Sequence, residues 1–391
     1  MDRLRGDSGF SLPELGPQLA VLIYLRWADF HEAECTVVAA FEDTEYLPIL
    51  PPSLHWRTWH AYEPAELAET LCHRLPRVLA DLVNTRNNPL ATHLHRLAEP
   101  LEHFRKWSPD SLAAVVQWLA DQPFETPADR RQLPELFEQV VIRSFKNSRN
   151  VSGEYFEPAW VAELVAALGR PAAGERIYDP CFGQGAFLAA VCDYVQTNSE
   201  TRFRRSGTPA LSVSGMDIDV RAFVMGMTRL ALAGVDSPQL ELGNSLERNP
   251  SGSPDAEGYD LIVANPPWGL RLADHGLDHY PIKSNDASCL FIQHVLAQLR
   301  PDGRAVIVVP QSMLFRGGSD QKLRELLIRQ HGIETVIGLP AGAFLPYSGI
   351  ACGIIVLRSK GPTRQIRMAD AERLFLDTKK GEPPTSEQIS D

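Results

Sequence analysis

The residues of this chain best suited to chemistry are Asn265-Pro266-Pro267-Trp268. They follow Leu261-Ile262-Val263-Ala264, an apolar run that reads as a buried strand. A proline pair lacks amide donors and has a fixed φ, so it can extend neither a sheet nor a helix. The strand must stop there, with Asn265 and Trp268 displayed on a stiff turn at its carboxyl end. In open α/β sheets that end is where ligands sit. A planar amide, a rigid backbone carbonyl and an aromatic face converging on one spot suit the grip of a flat, nitrogen-bearing ring such as a nucleobase. For the tetrapeptide alone, a strand stopped by prolines beside a packing tryptophan carries comparable weight.

A second motif shifts that balance. Asp179-Pro180-Cys181-Phe182-Gly183-Gln184-Gly185-Ala186-Phe187-Leu188 follows the short strand-like Arg176-Ile177-Tyr178, and Phe187 to Val195 reads as an amphipathic helix. Gly183 and Gly185 fit a tight strand-to-helix turn where a ligand approaches the backbone closely. A lone Gly-x-Gly is a weak signal. Asp-Pro ahead of it and Asn-Pro-Pro-Trp further on, each at a strand end, make a much stronger one together.

The elements that must position these motifs belong to the second part of the chain. Strand patterns at 176–179, 211–217, 260–264, 304–309, 333–338 and 352–357 alternate with helical patterns over Pro158–Leu168, Phe187–Val195, Arg221–Ala233, Cys289–Leu299 and Asp320–Arg329. This alternation predicts an α/β fold with a mostly parallel sheet covered on both faces. The first part, 1–147, shows helical spacing, notably over Leu15–Phe30 and Leu133–Phe145, and no strand alternation. Pro48, Pro51 and Pro52 mark a loop inside it, Lys146 to Gly153 reads as a linker, and Ser251 to Gly258 is a polar loop. The predicted division is an all-α domain over 1–147, a catalytic domain over 148–375 and a polar tail over 376–391.

Composition narrows the function classes. The 391 residues carry a formal net charge of −11, which argues against a protein that holds DNA alone by a broad basic face. A subunit whose partner supplies most phosphate contacts is compatible with it. No apolar run is long enough to span a bilayer, and no signal peptide opens the sequence. The six cysteines are scattered without metal-type spacing and read as reduced thiols of a cytoplasmic protein. His93 and His95 are an isolated pair, so no metal site is expected.

The order Ser152-Gly153-Glu154-Tyr155-Phe156-Glu157-Pro158, the Asp-Pro…Gly-x-Gly turn and Asn-Pro-Pro-Trp resembles the γ-class amino methyltransferases that use S-adenosylmethionine. Within them the chain is similar to the modification subunits of type I restriction-modification systems. The resemblance extends through Gly303–Pro310, Leu314-Phe315 and Ile333–Pro340, and in the helical part through Val21–Arg26 and Leu136-Phe137-Glu138. It implies a Rossmann-like methyltransferase fold with a mostly parallel seven-stranded sheet and an N-terminal all-α domain. It implies methyl transfer to N6 of a flipped-out adenine in double-stranded DNA. The implied partners are a DNA-specificity subunit, a second copy of the chain and a restriction or translocase subunit. The sequence from Pro383 resembles the start of a helix found further on in the family, so this chain is expected to stop before partner-docking helices.

The resemblance also assigns residues. The turn from Asp179 through Pro180 to Gly185, with Phe187 behind it, would cradle the cofactor's amino acid end, Asp179 taking the ammonium. Asp217 would accept the ribose hydroxyls, with a solvated strand end or helix cap as the plainer reading. Asn244 would meet the adenine edge of the cofactor or form an ordinary turn. Tyr155, Phe156, Glu157 and Pro158 would close over the cofactor, although aromatic residues before a helix are more often plain packing. Asn265 and the Pro266 carbonyl would accept from the target amine, and Trp268, after Pro267, would stack on the target ring. Asn285 and Asp286 would line the DNA side or a solvated loop. The family usually has Thr at the position of Glu157, a small residue or Cys at Phe182, Ser or Thr at Gln184, Glu at Asp217 and Asp at Asn244. The added carboxylate of Glu157 is expected to repel the cofactor's own carboxylate. The alternatives are methyl transfer to an RNA base or a protein glutamine, or a catalytically silent scaffold.

Overall fold

A run of apolar residues with no polar break, from Leu19 to Leu25, makes the helix α1 (Leu12–Phe41) a buried centrepiece, not an amphipathic surface helix. The computed structural model describes residues 12–82, 88–124, 126, 129, 157–198, 211–235, 237–248, 258–273, 279–345 and 348–371. The helix expected over 133–145, the linker over 146–153, the polar loop up to 257 and the tail over 376–391 fall outside the described residues, and so do Tyr155 and Phe156. The chain divides into two compact units, Met1–Ser152 with Val220–Ser237, and Gly153–Asp219 with Pro238–Asp391.

In the first unit, the buried polar residues of α1 hold the segments around it. Asp29 accepts from the Arg57 backbone amide at 2.9 Å and from the Arg57 guanidinium at 2.8 Å, and lies 3.2 Å from His55 Nδ1. Glu32 accepts from the Ile49 amide, so the proline-rich loop is tied to the helix at two points. Arg26 donates to the carbonyls of Leu119 and Gln122, which terminate the helix α2 (Pro109–Ala120), and its guanidinium lies 4.5 Å from the centre of the Phe124 ring. A cation there satisfies the open carbonyls of a helix end. His93 pairs with the Tyr24 hydroxyl at 3.1 Å and His95 with the Leu79 carbonyl at 3.0 Å. Among the described residues no cluster of His, Cys, Asp and Glu could hold a metal ion. No described helix is long and apolar enough to cross a membrane.

The second unit holds an eight-stranded sheet in the order β3-β2-β1-β4-β5-β7-β6-β8. The strands are β1 (Arg176–Asp179), β2 (Ser212–Asp217), β3 (Gln239–Leu242), β4 (Tyr259–Ala264), β5 (Leu299–Pro310), β6 (Gly332–Gly338), β7 (Cys352–Arg358) and β8 (Arg367–Asp370). All pairings are parallel except those of β7 with β5 and with β6. The sheet thus has one strand more than the seven expected. The extra edge strand β8 is exposed at every position and carries no apolar pattern to announce it. β3 is likewise short, with a single buried residue, and falls outside the six strand patterns.

The helices α3 (Ala159–Gly169), α4 (Ala186–Asn198), α5 (Val220–Leu232), α6 (Ala287–Gln298) and α7 (Ser319–Gln330) alternate with these strands in sequence. α5 lies between β2 and β3 in the chain yet groups with the first unit, where it packs on α1. Thr228 of α5 donates to the Ala20 carbonyl at 3.1 Å while also bonding Val224 one turn back. Sequence alternation cannot show that grouping.

The order of the sheet sets the site. From β1 the chain crosses outward to β2 and β3, whereas from β4 it crosses the other way to β5. β1 and β4 are neighbours, with Tyr178 opposite Ile262. Such a reversal opens a crevice at the carboxyl ends of the two strands. β4 is buried at all six positions, so it can only be a central strand.

Replacing Asp29 by Ala would leave the Arg57 backbone amide and a half-exposed guanidinium without their buried acceptor. Urea unfolding should show a loss of about 1–2 kcal/mol, whereas Glu45→Ala on the surface should change stability by less than about 0.5 kcal/mol.

Candidate active site

The two motifs, far apart in sequence, meet at the carboxyl ends of β1 and β4. β1 delivers Asp179, only 2% exposed, whose Oδ1 accepts the Cys181 amide at 3.0 Å. The turn then reverses into α4: the Gly185 amide donates to the Phe182 carbonyl at 2.7 Å and Ala189 closes the first helical bond onto Gly185. Gly183 and Gly185 sit at φ +54° and +72°, where a side chain is strained. A Cβ at Gly183 would meet only the Cys181 carbonyl at 3.9 Å, so this backbone faces open space a ligand can use.

The neighbouring strand braces the turn. Asp217, the last residue of β2, accepts from the Gly183 amide at 2.9 Å through Oδ2 and from the Asp219 amide at 2.9 Å through Oδ1. Each oxygen keeps further lone-pair capacity for a hydroxyl. Ser245 Oγ donates to the Pro180 carbonyl at 2.5 Å, joining the segment after β3 to the same turn. Phe182 is buried, and its bulk is accommodated by Gly215 of β2, where an added methyl would come within 2.9 Å of the ring. Phe187 is buried in the first turn of α4.

Asn244 is used locally. Its Oδ1 accepts the Leu246 amide at 3.2 Å and its Nδ2 donates to Glu247 at 3.0 Å, so the side chain closes a short turn. Pro158 precedes the first residue of α3. Asp286 caps α6 by accepting the Ser288 amide at 3.1 Å and pairs with Arg316 at 2.8 Å, while Asn285 accepts from Arg271 at 2.7 Å. Both are occupied in bracing the loop after the motif.

At the end of β4, Asn265 is 8% exposed. Its Nδ2 donates to Glu157 Oε1 at 3.1 Å, and its Oδ1 is buried with no hydrogen-bond partner. The Pro267 carbonyl accepts from Ser288 Oγ at 3.2 Å. Trp268 is not displayed as its place on a turn predicts. It is 5% exposed and packs edge-to-face on Phe344, ring centres 4.9 Å apart at 78°. The fully buried Phe344 supplies an aromatic partner worth about 0.5–1.5 kcal/mol beyond area burial, which holds the indole in the wall of the site. Nothing in the tetrapeptide shows that partner, because Phe344 lies far along the chain.

The site is electrostatically negative. Burial pushes the Asp179 carboxyl well above the ordinary aspartate range, and the charges of Glu157 and Asp217 push it further. Asp217 is raised for the same first reason, against the lowering effect of its amide donors. The Cys181 thiol is raised by burial and then by the three carboxylates around it, so it stays protonated and is no nucleophile. Carboxylates that resist ionisation when desolvated are suited to a cationic ligand. Gln184 Oε1, also buried without a partner, adds an acceptor beside the turn. The open glycine backbone, the carboxylates and the orphaned acceptors together fit S-adenosylmethionine, a cation with hydroxyl and ammonium donors.

Comparison with known proteins gives the family. Residues 128–391 match the N-6 DNA Methylase family, and the chain belongs to it. It is 28% identical over 378 residues to the methylase subunit of the type I restriction enzyme EcoEI of Escherichia coli, covering 93% of this chain and 74% of that subunit. The methylase subunit of EcoKI from Escherichia coli K12 is 26% identical over 231 residues, 55% of this chain and 42% of its own length. A solved type I R-M system, described for its complex assembly and conformational transition, contains a chain that superposes with a TM-score of 0.80 at 28% identity, over 99% of this chain and 79% of its own.

A pH prediction follows for Asp179. A carboxyl raised in the folded state binds its proton more tightly there than in the unfolded chain. That contribution to stability is therefore present at low pH and lost as pH rises through the folded value. A bound cation reverses the penalty. S-adenosylmethionine should raise Tm more above the folded pKa of Asp179 than below it, in a scan of Tm against pH. Asp179→Asn should raise the Tm of the ligand-free protein and weaken cofactor binding about 100-fold by calorimetry.

Proposed function

We propose that this chain is the modification subunit of a type I restriction-modification system. It transfers a methyl group from S-adenosylmethionine to N6 of an adenine in double-stranded DNA. The observation that carries this reading is the buried Asn265 amide at the switch point of the sheet, its nitrogen held and its oxygen unpartnered, joined to a negatively charged glycine turn. Family membership and the methylase-subunit relatives support the same substrate class. Recognition of the DNA sequence is assigned to a separate specificity subunit. A second modification subunit and a restriction or translocase subunit complete the assembly. The place of action is the cytoplasm, where DNA and cofactor meet.

S-adenosylmethionine supplies an electrophilic methyl group on a sulfonium. The chain holds it through the Asp179–Gly185 turn and Asp217, the glycine backbone admitting the amino acid end and the carboxylates offsetting positive charge. Asn265 acts on the acceptor. The exocyclic amine of adenine is a poor nucleophile because its lone pair is delocalised into the ring. Asn265 Oδ1 accepts one amine hydrogen and the Pro266 carbonyl the other, which favours a pyramidal nitrogen with an available lone pair. Most of the rate comes from this placement and from electrostatics, with no strong general base. The adenine must first leave the duplex, at a cost of a few kcal/mol. Trp268, held by Phe344, forms a fixed aromatic wall against which the extruded ring is received. The formal charge of −11 leaves most phosphate contacts to the partners.

Transfer of labelled methyl to unmethylated DNA by the assembled complex is the direct test. Asn265→Ala should reduce it by at least about 1000-fold while calorimetry still finds the cofactor bound with unchanged affinity. Gly183→Arg should abolish cofactor binding, since it strains the positive φ and fills the open side of the turn. Unchanged binding in Gly183→Arg would count against the site.

A further inference from the structure

The Asn265 side chain is held by a residue that the family resemblance puts beside the cofactor. Glu157 stands just before α3, 108 residues away in the chain, yet its Oε1 lies 3.1 Å from Asn265 Nδ2. The two ends of a side-chain amide have nearly the same size, so packing alone does not choose between its two orientations. A carboxylate does choose, because when ionised it only accepts hydrogen bonds. The reverse orientation would set the amide oxygen against a carboxylate oxygen. With Glu157 in place, Nδ2 is turned toward it and Oδ1 is turned the other way, where it is buried without a partner.

We propose that Glu157 is a positioning residue that locks the Asn265 amide with its oxygen presented to the substrate amine and polarises that oxygen as an acceptor. This rests on the methyltransferase reading above and deepens it. During transfer the amine nitrogen uses its lone pair to form the new bond to carbon, and the bonding pair of the broken carbon–sulfur bond stays on sulfur. The positive charge thereby moves onto the nitrogen, which then releases one proton to solvent. Glu157 sits behind the amide that holds that nitrogen, so its charge favours the transition state more than the ground state. Its effect belongs in the rate at saturation, and binding is largely spared.

The assembled complex carrying Glu157 variants is assayed in single turnover with saturating S-adenosylmethionine and unmethylated DNA. Glu157→Gln keeps an acceptor but adds a donor that suits either amide orientation, and should slow transfer about tenfold; Glu157→Ala should slow it about 100-fold. KM for DNA and the calorimetric Kd for S-adenosylmethionine should each stay within about threefold of wild type. A swap is the sharper test. Asn265→Asp alone places two carboxylates against each other and should be inactive. Adding Glu157→Gln lets the glutamine amide donate to the new carboxylate, whose other oxygen then serves the amine. The double variant should exceed N265D by at least about tenfold. The proposal is overturned if the Glu157 variants keep the wild-type saturated rate, or if cofactor affinity falls more than about tenfold with that rate intact, since Glu157 would then serve the cofactor. A double variant no faster than N265D overturns it as well. A wild-type complex that transfers no methyl overturns the proposed function itself, whereas an active wild type with indifferent Glu157 variants overturns only the role of Glu157.

Discussion

The desolvation of carboxylates at the ends of β1 and β2 is the constraint on which the second unit depends. Asp179 and Asp217 are brought close enough for each to resist the other's charge, in a region that water does not screen. Backbone amides hold the arrangement: Cys181 donates to Asp179, and Gly183 and Asp219 donate to Asp217. The Gly183 amide reaches Asp217 from a turn that passes through two positive-φ glycines. The turn, the strand ends and the negative potential are thus one object. Its residual cost is one that a bound positive charge would relieve where the amides do not.

The second motif depends on the sheet in a different way. β4 lies between β1 and β5, buried along its whole length, and can be stopped only by residues that refuse to continue a ladder. The proline pair does this and leaves Asn265 at the point where the strand order reverses. Orientation is then supplied from outside the motif: Glu157 sets the amide, Ser288 holds the Pro267 carbonyl, and Phe344 holds the indole. The tetrapeptide carries the groups proposed to meet the substrate amine, while three distant segments fix their geometry.

This division explains what the sequence could and could not reveal. The core strands were legible because burial on both faces leaves continuous apolar runs, and the glycine turn was legible because its spacing has few other uses. The edge strands β3 and β8 were not, since β3 alternates over only four residues and β8 is exposed at every position. Nor was the grouping of α5 with the N-terminal helices, which rests on a long-range contact between Thr228 and Ala20. At the site, Asp179, Gly183, Gly185, Asp217 and Asn265 come together as their motifs suggest. Asn244 is engaged in its own turn, and Trp268 is packed away from solvent. In the sequence Glu157 stands out only as an unfavourable departure, because its partner Asn265 lies 108 residues away and meets it only in the fold. Propensity and motif report local chemistry, and these residues take their roles from contacts made across the fold.

The most direct measurement is single-molecule methylome sequencing of cells carrying the intact locus, with and without Asn265→Ala. The account predicts N6-methyladenine at one bipartite sequence in the wild type and its disappearance in the mutant. An unchanged methylome would contradict it, because the amide at the end of β4 would then not be where adenine is methylated.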